Sequence, residues 1–115
     1  SLRPALIVFD PIQSYLGQGV QMNRAEQVRP LLDGLGALAK ELGPSGVRVN
    51  CIAPGVIDTA MNAAAGADIL DMLAEETPLG RIGTAQEAAQ AIAYLASEEA
   101  SFITGQVLTV DGGFI

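Results

Sequence analysis

The sequence predicts an α/β fold: a small three-stranded parallel sheet in β-α-β-α-β order, a Rossmann-like half, with its helices mainly on one face. Three observations lead there. Short continuous apolar runs end in turn residues, as strands buried on both faces do. The stretches between them carry apolar residues at spacings of three and four, and parallel neighbours need such long crossovers. Half of the 115 residues are apolar but only 4% are aromatic, so the core is aliphatic.

Pro4–Asp10 (P-A-L-I-V-F-D) reads as the first strand. Pro11–Asn23, with Gly17 and Gly19, reads as a loop. Asn23 followed by Glu26 matches a capping box and opens a helix with apolar residues at Val28, Leu31, Leu32, Leu35, Leu38 and Leu42. Pro30 is expected to bend its early part, and Gly43-Pro44 stops it. Val47–Ile52 is the second strand. It sets Val47, Val49 and Cys51 on one side against Arg48, Asn50 and Ile52 on the other. Ala53-Pro54-Gly55 breaks it. Thr59–Glu76 has modest helical periodicity and ends at Thr77-Pro78-Leu79-Gly80. Thr84 caps the last helix with Glu87 three residues on, and its buried stripe is Ala88, Ala91, Ile92 and Leu95. Gly105 leads into the third strand, Gln106–Val110, and Asp111-Gly112-Gly113 turns the chain out. Nothing in the composition divides residues 1–115 into two domains.

Composition narrows the function. Six basic against 13 acidic residues give a net charge of −7, which disfavours a nucleic-acid partner. A single cysteine, Cys51, excludes an intramolecular disulfide, and it reads as a small buried hydrophobe. The chain has no histidine, so the commonest acid–base group and metal ligand is missing. Asp68, Asp71, Glu75, Glu76, Glu98 and Glu99 read as solvated helix faces, and no metal site is argued from their spacing. No apolar run reaches the length of a membrane span and no signal peptide is visible, so a soluble cytoplasmic protein is expected.

From about Leu38 to Ile115 the text resembles the C-terminal part of short-chain dehydrogenases/reductases. The phrases that carry this are L-A-K-E-L-G-P-S-G-V-R-V-N-C-I-A-P-G-V-I-D-T-A-M, T-P-L-G-R-I-G and A-Y-L-A-S-E-E-A-S-F-I-T-G-Q-V-L-T-V-D-G-G-F. The first third, A-L-I-V-F-D-P-I-Q-S-Y-L-G-Q-G-V-Q-M-N-R-A-E-Q-V-R-P-L-L, resembles instead the Walker B strand and following helix of RecA-type P-loop ATPases, with Asp10 at the Mg²⁺-holding acid. The two resemblances meet near Asp33–Lys40, so a chimera of natural or engineered origin is expected.

The resemblance implies lost chemistry. The dehydrogenases bind pyrophosphate with a T-G-x-x-x-G-x-G turn, and the ATPases need G-x-x-x-x-G-K-[ST]; neither motif stands in these residues. The family's catalytic Tyr falls on Arg24 and its Lys on Val28. Tyr15 has no Lys four residues later. The expectation is therefore a non-catalytic scaffold with no catalytic residue and no cofactor. The resemblance leaves one vestige, the P-G-x-I-x-T turn: Pro54, Gly55, Ile57 and Thr59 stand where the family meets the nicotinamide carboxamide and phosphate. A weak nucleotide- or nicotinamide-binding module is the second reading. A truncated subunit that works only with another chain is the third.

Right-handed crossovers stepping in one direction place every helix on one face. The other face, lined by Leu6 and Val8 or Ile7 and Phe9 with their neighbours, is then bare. An apolar surface of several hundred Å² is rare on a monomer. A homodimer is expected, through the helix-free face or, as the dehydrogenase resemblance implies, through the C-terminal strand and last helix.

Overall fold

The computed structural model describes residues 5–9 and 24–114. Asp10, Tyr15 and the Asn23 cap lie outside the described residues.

Strand β1 is Ala5–Phe9 and helix α1 is Arg24–Leu42, which runs unbroken through Pro30. A 3₁₀ turn, Gly43–Ser45, leads to the central strand β2, Arg48–Pro54. The two-residue strand β3, Ile57–Asp58, follows. The predicted helix over 59–76 is two helices, α2 (Ala60–Ala63) and α3 (Ala67–Glu76). Gly66 separates them with a left-handed φ of 95°. Strand β4 is Gly83–Thr84, helix α4 is Ala85–Ala96, and β5 is Val107–Val110. The main sheet is parallel throughout in the order β1-β2-β5, with Val8 beside Cys51 and Cys51 beside Val107. A second small parallel pair joins β3 to β4. The α/β class and the parallel three-stranded sheet are as the sequence predicts.

The distribution of helices is a correction. Leu35 of α1 packs with Val49 and Cys51, and Leu38, Leu42, Val47 and Val107 close around them. That is one face of the sheet. The other face of β2 carries Arg48 and Asn50. The Arg48 guanidinium donates to the Leu95 carbonyl at 2.8 Å, to the Ser97 carbonyl at 3.2 Å and to the Ile103 carbonyl at 3.2 Å. The Asn50 amide donates to the Ile103 carbonyl at 3.0 Å. Helix α4 and the segment after it thus cover the face opposite α1. From Val49 to Pro54 every residue of β2 is buried, so the central strand has no bare side.

The handedness rule explains the miss. The chain steps β1 to β2 to β5 in one direction, yet its two crossovers pass over opposite faces. Two such crossovers have opposite hands, so one is of the rare left-handed kind.

Candidate cofactor-side site

At the carboxyl end of β2 the chain turns sharply. The Gly55 N–H donates to the Val110 carbonyl at 2.8 Å, which holds the turn against β5. A Cβ on Gly55 would stand 2.6 Å from Asp111 Cβ and 2.7 Å from its Cα, so only glycine fits this approach. The Val56 carbonyl accepts from the Gly83 N–H at 2.9 Å, and β3 then pairs Ile57 with Gly83. Ile57 is buried; Thr59 is exposed, and its carbonyl accepts from the Ala63 N–H at 2.9 Å as α2 begins.

The segment after α3 forms the facing wall. Thr77 is buried and its hydroxyl donates to the Leu73 carbonyl at 2.7 Å. The Leu79 N–H donates to the Gly112 carbonyl at 3.2 Å. Between these walls lies a cavity of about 510 Å³, bounded among others by Val56, Ile57, Leu79, Arg81, Glu87 and Asp111. Its size suits part of a small organic ligand.

Arg81 and Glu87 form a bidentate pair with both N···O distances at 2.8 Å. Glu87 also accepts from the Thr84 N–H at 2.9 Å, while its own N–H donates to the Thr84 hydroxyl at 3.1 Å. The capping box read from T-x-x-E is therefore present. The Arg81 hydrogen bonds, then the Thr84 N–H, pull the Glu87 carboxyl down to about 2, and the same contact raises Arg81. Near neutral pH Glu87 is an anion and Arg81 a cation. Neither is poised to exchange protons with a ligand.

Of the four residues predicted for the vestigial half-site, Ile57 lines the cavity. Pro54 and Gly55 are buried at the end of β2 and its turn, and Thr59 is exposed at the start of α2. Cys51 is buried in the cluster with Leu35 and Val49. Arg24 and Val28 stand in the first turns of α1. Among the described residues no group of three or more His, Cys, Asp or Glu is arranged to hold a metal ion. Among the described residues no helix is long and apolar enough to cross a membrane. Sequence reasoning missed Arg81, Leu79 and Asp111 as parts of one site. Their motifs, T-P-L-G-R-I-G and V-D-G-G, were legible, but the contact between the two was not.

A parallel sheet with a ligand-sized cavity beside a turn at the carboxyl end of its central strand defines a Rossmann-like protein. A family model described as Enoyl-(Acyl carrier protein) reductase matches residues 32–115. The chain is 42% identical over 109 residues to the 3-oxoacyl-[acyl-carrier-protein] reductase FabG of Chlamydia muridarum (strain MoPn / Nigg), covering 95% of this chain and 44% of that relative. Against the enzyme of that name from Escherichia coli (strain K12) it is 40% identical over 108 residues, 94% of this chain and 44% of the relative. A crystal structure of a short-chain dehydrogenase/reductase (SDR:Glucose/ribitol dehydrogenase) from Brucella melitensis superposes with a TM-score of 0.78 at 32% identity, over 96% of this chain and 45% of that one. The chain belongs to the enoyl-(acyl carrier protein) reductase group of the short-chain dehydrogenase/reductase family, a family of oxidoreductases. It spans less than half the length of these relatives.

These matches overturn the chimera and, with it, the non-catalytic scaffold. The Chlamydia relative leaves six residues of 115 unmatched, so the first third aligns with the same reductase as the rest. An apolar strand ending in an acid, then a loop and a helix, is common to both α/β families. That is why the segment was misread as a P-loop ATPase.

Proposed function

We propose that this chain is the C-terminal half of a nicotinamide-dependent reductase subunit, and that it walls the nicotinamide and substrate end of the site. The supporting observation is the Gly55–Thr59 turn at the carboxyl end of β2, which borders the 510 Å³ cavity through Val56 and Ile57. The residues present fit the nicotinamide end of NAD(P). Val56, Ile57 and Leu79 offer an apolar wall to the ring. Glu87 and Arg81 offset each other's charge, and no cluster of cations lines the described wall of this cavity to receive the pyrophosphate end. By the family pattern Pro54, Gly55, Ile57 and Thr59 are the residues that hold the carboxamide side. The bound cofactor supplies a hydride.

Proton supply is where this chain departs from its relatives. Arg24 occupies the position of the family's phenol and Val28 that of its lysine. An arginine keeps its proton at any ordinary pH, so it is no general acid. In this reading water gives the proton to the alkoxide that hydride addition leaves, and this chain's part is to shape the cofactor and substrate walls. The substrate class suggested by the relatives is a 3-oxoacyl thioester.

The test is a reductase assay with NADPH and a 3-oxoacyl thioester on the full-length protein that carries this sequence. Turnover is expected, and Arg24→Ala should leave its rate within about twofold, because a true acid contributes roughly 10²-fold or more. No turnover, or its loss in Arg24→Ala, contradicts the reading.

An exposed C-terminal edge supports a second inference, a homodimer. Phe102 is fully exposed, and Leu108 of β5 and Tyr94 of α4 are partly so. The helix-free face is no longer a candidate, since α4 covers it. The β5 edge and the outer side of α4 remain.

A further inference from the structure

We propose that the C-terminal turn Asp111–Gly113 is a clasp that ties helix α3 to the turn after β2, with Gly112 as its positioning residue. The identity of the ligand that loads that turn rests on the function proposed above; the clasp itself rests on backbone contacts.

Helix α3 has no buried residue of its own, so little core packing fixes its position. It is anchored where it ends. Thr77 is buried, and the Gly80 N–H donates to the Thr77 carbonyl at 2.7 Å. The Leu79 N–H donates to the Gly112 carbonyl at 3.2 Å. A Cβ placed on Gly112 would meet Thr77 Cγ2 at 2.8 Å, and one on Gly113 would meet Pro78 Cγ at 3.2 Å. The other end of the same turn grips the cofactor side. Val110 accepts from Gly55, and Asp111 fills the space a Gly55 side chain would take. Asp111 also stiffens the turn: its Oδ1 accepts from the Gly113 N–H at 3.0 Å and its carbonyl from the Phe114 N–H at 3.2 Å. Two segments that bound one cavity, the turn after β2 and the stretch after α3, are thus joined through Asp111, Gly112 and Gly113. A ligand that moves or stiffens the Gly55 turn shifts Asp111, and Gly112 carries that shift to Thr77 and α3.

Hydrogen exchange on the full-length protein tests this with Gly112→Ala, Thr77→Ser and the double variant. The added methyl in Gly112→Ala should raise exchange in residues 67–76 by about tenfold or more while leaving 48–54 unchanged, because only local opening is altered. Thr77→Ser removes Cγ2 and keeps the hydroxyl. In the double variant exchange should fall about threefold or more below that of Gly112→Ala, as expected for coupled neighbours, while the strain of the left-handed φ of 63° at this position keeps it above wild type. Unchanged exchange in Gly112→Ala, equal loss of protection in 48–54, or no rescue by Thr77→Ser each overturns the clasp. The last outcome would assign the effect to the left-handed φ of 63° at Gly112 rather than to the contact. A further arm adds NADPH: it should slow exchange in 67–76 for wild type but not for Gly112→Ala. Bound NADPH that leaves 67–76 unaffected in wild type also overturns it. If NADPH does not bind at all, the proposed cofactor is wrong and the three variants still decide the clasp.

Discussion

Asn50 is a buried amide that joins strands far apart in sequence. Its Nδ2 donates to Ile103 and its Oδ1 accepts from the Gln106 N–H at 3.1 Å, so both ends of the side chain are satisfied. Replacing it with leucine removes both hydrogen bonds: the Ile103 carbonyl keeps the Arg48 guanidinium, but the part-buried Gln106 N–H loses its partner. Asn50→Leu should cost about 1–3 kcal/mol in urea unfolding, the range for one polar group that loses its partner. Gly55→Ala is the matching backbone test. Its methyl would collide with the Asp111 backbone, for an expected loss of about 1–3 kcal/mol. What the sequence disclosed at this scale follows chain distance. The Thr84–Glu87 cap was readable because its partners are three residues apart. The long-range partners of Asn50 and Gly55 were not readable, since they lie more than fifty residues away.

The elements behave likewise. Strands β1, β2 and β5 and helices α1 and α4 fall close to their predicted bounds, because apolar period and capping residues are local signals. The break between α2 and α3 and the β3–β4 pair were not foreseen. The side on which α4 packs was misjudged, because the hand of a crossover is fixed by tertiary contacts. Leu95 is buried on α4, and its carbonyl receives the Arg48 guanidinium. Leu95→Ala should therefore destabilise by about 2–5 kcal/mol, and Thr84→Ala by about 1 kcal/mol through loss of the cap. Both are measured by denaturant midpoint at unchanged slope. Glu87 sets an acid dependence. Its folded carboxyl titrates near 2, below its unfolded value, so its contribution is complete above the ordinary carboxylate range and fades as pH falls toward 2. Glu87→Gln should flatten that part of the stability–pH curve and leave the rest of the curve unchanged in shape.

For the whole molecule, the C-terminal two-thirds revealed its family through three phrases in order, and the match to reductases extends that kinship over nearly the entire chain. The opening strand and loop misled, because their composition is shared by unrelated parallel-sheet proteins. If the β5 edge joins two copies, Phe102→Glu should halve the molar mass seen by light scattering, while a mass that does not change removes that inference. The proposed function requires the nicotinamide end to be received at residues 54–59. An amide-resolved NADPH titration of the full-length protein tests this most directly. Saturable shifts concentrated at Gly55–Thr59 and Asp111–Gly113 are the predicted result, and saturable binding that leaves those amides unmoved would contradict it.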